Sequence, residues 1–223
     1  MTDIRFDLVG FDLDGTLLDT SGDLGAALNH ALALAGREPV AMDEVRGLIG
    51  GGARVMLERA MALTGGMISN DDIKELHREL LTFYEANIAH HSALFPGGEA
   101  MLAALEERGV TLAVVTNKLE RFAVKLLDEL GLSPRFAAII GGDTLGPGKA
   151  KPAPDLLHDM LRRTGASSAA YVGDTTFDTR AAQAAGLPCV AVSFGFNDLP
   201  PHQLGAAAVI DHYDELVPVL ASL

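Results

Sequence analysis

The sequence predicts a doubly wound α/β domain, a parallel sheet covered by helices on both faces, with an all-helical block inserted after the first strand. Three observations carry this expectation. From about residue 98 to the C-terminus, short apolar runs alternate with amphipathic stretches, the pattern of strands buried on both faces and joined by crossover helices. One more apolar run, at 4–11, stands alone near the N-terminus. Between residues 20 and 92, helical spacing continues with no convincing strand.

In chain order, residues 4–11 read as a buried strand that stops at Asp12. The segment 23–36 carries apolar residues at helical spacing and ends in Gly36, a C-cap signal. Helical spacing continues through 42–50, 53–65 and 69–91, where Ser69 or Asn70 would cap the last helix and the acids behind them suit its first turn. After "LFPGG" the reading alternates: helix 98–109, strand 110–116, helix 118–131, strand 136–141, a glycine-rich loop, helix 153–165 and strand 169–173. Helix 176–186, strands 188–194 and 207–210, and a final helix 213–222 complete the chain. The helical block would join the core through two crossings, near 17–20 and 91–96. Attached that way, it would close over the C-terminal ends of the strands, where such sheets bind ligands.

Composition narrows the function. The 223 residues carry 30 Asp and Glu against 17 Lys and Arg, a formal charge of −13. That balance argues against a general nucleic-acid binder, because phosphate-backbone binding needs clustered cations. A small anionic substrate stays open, since the field inside a cleft can oppose the net charge. The single cysteine, Cys189, excludes an intrachain disulfide and suits a reducing compartment. There is neither a signal-like N-terminus nor a run of 18 apolar residues. The expectation is a cytoplasmic protein with no membrane partner, monomeric or homodimeric.

Polar residues gather where the strands end. The first strand leads into Asp12-Leu13-Asp14-Gly15-Thr16, the second into Thr116-Asn117-Lys118, the third into a loop that reaches Lys149 and Lys151, and the fourth into Gly173-Asp174-Thr175-Thr176-Phe177-Asp178. Parallel strands share one C-terminal edge, so these segments should converge on one crevice. Clustered aspartates repel one another unless a cation joins them, and hard oxygen ligands suit Mg²⁺, which is commonly completed by substrate phosphate. Thr116 and Lys151 would then hold phosphate oxygens, with Asn117 beside them and Lys149 as the competing lysine. In the helical block, three glycines (50–52) precede a helix that opens with Arg54. Main-chain N–H groups at such a start receive anions, and Arg54 would reach a substrate carboxylate. Adjacent His90 and His91 point apart on a helix and read as solvated residues.

The motifs "DLDGTLLD", "VVTN", "KPAPD" and "VGDTTFD", in that order, resemble the haloacid dehalogenase superfamily of phosphohydrolases over nearly the whole chain. Within it, "GGGARVMLERA", "TNK" and "KPAPDLL" are most similar to bacterial phosphoglycolate phosphatases. The resemblance implies a Rossmann-like catalytic core (1–19 and 92–223) and a helical cap domain (20–91). It implies Asp12 as nucleophile forming an aspartyl-phosphate, and Asp14 as general acid and then base. Mg²⁺ would be held by Asp12, the main-chain carbonyl of Asp14 and Asp174, with Asp178 supporting the metal's water shell or orienting Lys151. The implied activity is hydrolysis of a small phosphate monoester, 2-phosphoglycolate first. A β-phosphoglucomutase-like transfer, a pyrophosphatase, a nucleotidase and a catalytically idle binding module on the same fold are the alternatives.

Overall fold

The computed structural model describes residues 4–223. The chain divides into two compact units: the chain through Asp19 together with Leu94–Leu223, and Thr20–Ala93. The passages between them, β2 (Leu18–Asp19) and β3 (Ala93–Leu94), pair as a two-stranded sheet. These two-residue strands carry no readable alternation, and the sequence gives no sign of them.

The first unit is built on a six-stranded sheet. Its members are β1 (Leu8–Phe11), β4 (Thr111–Val115), β5 (Ala138–Ile140), β6 (Ala169–Gly173), β7 (Cys189–Val192) and β8 (Ala208–Ile210). They lie in the order β5-β4-β1-β6-β7-β8, and every pairing is parallel. The expected α/β class is therefore the observed one. Strand β1 begins at Leu8 rather than residue 4; just before it the Asp7 main chain bonds to Ser168 and Thr111, while its carboxylate accepts from Ser167 and Ser168.

Helices α5 (Gly98–Glu106), α6 (Glu120–Glu129), α7 (Asp155–Thr164), α8 (Thr176–Ala184) and α9 (Leu216–Ser222) flank the strands. The first four end short of the expected lengths, with Gly109, Gly131, Gly165 and Gly186 taking left-handed φ just beyond them. Leu156, Leu157 and Met160 of α7 pack on Leu8, Val115, Ile140 and Tyr171, all fully buried. Gly10 leaves room for this helix: a Cβ there would lie 2.5 Å from Met160 Sδ.

Register places the functional edge. Phe11 sits opposite Val114 on one side and Val172 on the other. The residues that follow, Asp12, Thr116 and Asp174, therefore leave three adjacent strands at the same edge. Strand β1 is the switch point, with later strands added outward on both sides, and that is where open α/β sheets bind ligands.

The second unit holds α1 (Ser21–Leu34), α2 (Met42–Leu48), α3 (Ala53–Leu63) and α4 (Asn70–Ala86). Leu24, Leu28 and Leu32 of α1 and Ile73, Leu76, Leu80 and Tyr84 of α4 are its buried stripes. Ser69 caps α4, accepting from the Asp72 N–H at 3.2 Å. The helix ends at Ala86, five residues early, where the Asn87 side chain donates to the Phe83 carbonyl. Beyond it the buried Asp23 carboxylate accepts from the main-chain N–H groups of His91 and Ser92 and from Ser92 Oγ. Among the described residues no helix is long and apolar enough to cross a membrane.

Candidate active site

The loop after β1 is shaped by its own main chain. Leu18 N–H donates to Leu13 O, and Gly15 N–H donates to Leu18 O, both at 2.9 Å. Gly15 has φ +83°, and a Cβ there would collide with Asp174 Oδ2 and the Phe196 ring. Only glycine fits this turn without strain. From the far end of the chain, Tyr213 OH donates to Thr16 O at 2.7 Å, and Thr16 Oγ1 donates to Asp174 Oδ1 at 2.9 Å. Tyr213 is itself set by edge contact with Phe194, which packs on Phe95.

Lys151 is the central cation. Its side chain is 1% exposed, and Nζ lies 2.6 Å from Asp178 Oδ1 and 2.9 Å from Asp12 Oδ1. Nζ also donates to Tyr171 OH at 2.9 Å and to Val115 O at 3.1 Å. Burial works against the ammonium, but Asp12 and Asp178 outweigh it and hold Lys151 protonated above the ordinary lysine range. Lys149, the competitor, pairs instead with Asp155 near the surface.

Asp178 is engaged on both oxygens. Oδ1 takes Lys151, while Oδ2 takes the Thr175 N–H at 3.0 Å and the Thr175 hydroxyl at 2.6 Å. With the Thr175 cap this forms a capping box at the start of α8. Asp174 accepts from the Phe196 N–H at 2.6 Å through Oδ2 and from Thr16 through Oδ1.

Asn117, expected among the phosphate-binding groups, spends its carboxamide on the Lys151 main chain. Nδ2 donates to Lys151 O at 2.9 Å, and Oδ1 accepts from Lys151 N–H at 2.8 Å. It fixes the lysine loop. Thr116, buried at the end of β4, accepts from Lys118 N–H at 3.2 Å, and its own hydroxyl hydrogen can be donated.

Asp14 is the most exposed of the four aspartates, at 17% of its side chain. Lys118 Nζ donates to both of its oxygens, at 2.8 and 2.9 Å. Arg54 lies in the helical unit, where it pairs with Glu58 at 2.8 Å and donates to Asn70 at 2.8 Å.

Asp12, Asp174 and Asp178 each offer an oxygen within 4.8 Å of the others. Burial, with Asp178 and Asp14 adding to it, pushes Asp12 up to about 6 against the opposing pull of Lys151. Burial first, then Asp178 and Asp12, pushes Asp174 well above the usual carboxylate range. Asp12 Oδ1 is buried without an aligned hydrogen-bond donor, the Lys151 hydrogens being directed to other acceptors. Four carboxylates face two ammonium groups, which leaves two negative charges for a divalent cation to cancel. An all-oxygen, acceptor-only set of this kind fits such an ion.

Three contributors carry weak sequence signals. Tyr171 is a polar tip within the apolar run "AAYVG", and its OH donates to Val115 O at 2.6 Å. Lys118 follows Thr116-Asn117 directly, but nothing local shows that it turns to Asp14. Tyr213 lies 197 positions from its partner, beyond any pattern reading.

Residues 9–192 match the family model described as haloacid dehalogenase-like hydrolase. A phosphoglycolate phosphatase of Agrobacterium fabrum is 42% identical over 214 residues, covering 94% of this chain and 90% of its own. A solved structure described as a predicted phosphoglycolate phosphatase from Haemophilus somnus matches with a TM-score of 0.88 and 30% identity, over 96% of this chain and 97% of that one. The structure of CbbY from Rhodobacter sphaeroides in complex with phosphate matches with a TM-score of 0.80 and 26% identity, over 98% and 100%. The chain thus belongs to the haloacid dehalogenase-like hydrolase family, as a hydrolase of phosphoric monoesters.

Proposed function

We propose that the protein is a Mg²⁺-dependent phosphatase acting through an aspartyl-phosphate, with 2-phosphoglycolate as substrate and glycolate and phosphate as products. The observation that carries the mechanism is the paired aspartates of one loop with different partners: Asp12 beside buried Lys151, Asp14 beside Lys118. Two carboxylates in different environments suit two roles.

In this reading Asp12 attacks phosphorus as nucleophile. Asp14 protonates the departing alcohol oxygen, then takes a proton from the water that hydrolyses the acyl phosphate. Lys151 and the Thr116 hydroxyl hold the transferring group and offset its charge, the largest contribution expected in phosphoryl transfer. Asp12, Asp174 and the Asp14 carbonyl would hold the divalent cation, which supplies charge neutralisation at the phosphoryl oxygens. Asp178, with an oxygen within 4.8 Å of those of Asp12 and Asp174, would orient Lys151 and support the metal's water shell. The helical unit serves as the cap, with Arg54 and the 50–52 glycines as its candidate substrate contacts. The buried Cys189 accords with a reducing, cytoplasmic setting.

The substrate assignment leans on the relatives named phosphoglycolate phosphatase. The test is phosphate release from 2-phosphoglycolate, β-glucose 1-phosphate, pyrophosphate and a nucleoside monophosphate, with Mg²⁺ and with chelator. Metal-dependent release led by 2-phosphoglycolate and lost in Asp12→Asn is expected. Release that survives Asp12→Asn removes Asp12 as nucleophile, and a different leading ester removes the substrate.

A further inference from the structure

We propose that Lys118 determines specificity by binding the acidic group of the leaving alcohol. This rests on the phosphoglycolate reading above and assigns the group that recognises the substrate's carboxylate.

Lys118 occupies a built position. Its N–H is fixed on Thr116 Oγ1 at 3.2 Å, and its carbonyl accepts from Gly142 N–H at 2.8 Å. A Cβ at Gly142 would stand 2.6 Å from Asn117 O, so the loop after β5 lies close under this turn. The side chain is 6% exposed, unusual for lysine, and it ends on both oxygens of Asp14 at 2.8 and 2.9 Å.

Asp14 is the group that must meet the leaving oxygen. An ammonium touching both oxygens of that acid is within reach of whatever the oxygen carries. In 2-phosphoglycolate one methylene separates the ester oxygen from a carboxylate, so the second anion arrives beside Lys118 as the first reaches Asp12. The cleft needs a cation there, because the chain carries a net charge of −13 and four carboxylates already line this edge. Lys151 is committed to Asp12 and Asp178 on the phosphoryl side. A lysine suits the position, since a point charge on a flexible stem turns from one carboxylate to another without a fixed fork geometry.

The competing account is that Lys118 only holds Asp14. The two separate on a pair of esters of equal length, 2-phosphoglycolate and the neutral 2-hydroxyethyl phosphate. kcat and KM are measured for both with the native enzyme, Lys118→Met and Lys118→Gln, each checked for folding by circular dichroism and thermal melting. The native enzyme should prefer 2-phosphoglycolate. Either variant should lose roughly ten- to a hundredfold in kcat/KM on 2-phosphoglycolate, mainly through KM, as expected for a lost charged contact. On 2-hydroxyethyl phosphate the change in KM should stay under about threefold, so the preference collapses. Lys118→Arg should recover part of it.

Equal losses on both esters with the preference intact would overturn the proposal and leave Lys118 as a positioning residue for Asp14. A native enzyme indifferent to 2-phosphoglycolate would overturn the substrate reading and this proposal together. That outcome is visible before any variant is made.

Discussion

Lys151 Nζ stands 2.9 Å from Asp12 Oδ1 in a site where both side chains are shut away from solvent, and it holds Asp178 at 2.6 Å on its other side. One cation thus serves two carboxylates. Lys151→Met should cost activity at least about a hundredfold, the scale seen when a preorganised donor to developing charge is removed. Without divalent metal it should also cost stability by about 3–5 kcal/mol, because breaking a buried pair strands the remaining charges. Lys151→Arg should not rescue activity, since the larger fork has no space at 1% exposure. Steady-state rates and denaturant melts decide this, and activity within tenfold of native in Lys151→Met would remove the lysine from the reaction.

Gly15→Ala tests the turn. At φ +83° an added methyl is strained, and it would meet Asp174 and stand 2.6 Å from Phe196 Cδ2. The substitution should lower the melting temperature and bring phosphate release to background while leaving the sheet intact by circular dichroism. A variant with native activity would mean that Asp174 and Phe196 yield freely, and that the Asp12–Thr16 loop is not the rigid element described above.

How much of this was open to sequence reading depends on the range of the signal. The six strands of the main sheet and their order of appearance follow from apolar runs, because burial on both faces leaves local composition as the whole message, whereas β2 and β3 leave none. Asp12, Thr116 and Asp174 were placed on one edge by topology alone, and the register puts them there. The spacing that marks Asn117 as polar and strand-terminal is real, yet its carboxamide turns to the Lys151 main chain. Residue type does not say which way a side chain points. Asp178 shows the same limit, since nothing in its sequence position tells that one oxygen closes a capping box while the other meets Lys151. Tyr213 and Lys118 depend on closures over 197 and 104 positions, and no local pattern records those.

The metal-free protein should lose stability as pH rises. Asp12 titrates near 6 when folded against an ordinary value of 3.8, and Asp174 is displaced in the same direction. Between those values the folded state binds more protons than the unfolded state, so the unfolding free energy falls with increasing pH. For Asp12 the decline is on the order of 3 kcal/mol, present in full below about 4 and gone above about 6, with Asp174 carrying it further. A divalent cation must displace these protons, so its stabilisation should grow over the same window. Thermal melts with chelator and with Mg²⁺ at pH 5 and pH 7.5 provide the check. A metal-induced shift as large at pH 5 as at pH 7.5 would contradict the assignment, and Asp12→Asn should make the chelator series shallower, leaving the part that Asp174 carries.

Tyr213 is the longest-range support of the site, reaching from the C-terminal segment to the Thr16 carbonyl while the Thr16 hydroxyl steadies Asp174. Tyr213→Phe removes one buried hydrogen bond, worth about 1–2 kcal/mol. For a chain of this size that is a fall in melting temperature of roughly 2–4 °C per kcal/mol. A merely structural tyrosine would stop there. If it positions Asp174, the Mg²⁺ concentration for half-maximal activity should rise several-fold in Tyr213→Phe, while kcat at saturating Mg²⁺ falls by less. An unchanged metal midpoint beside a lowered melting temperature would assign Tyr213 to packing alone, with Phe95 and Phe194 as its only business.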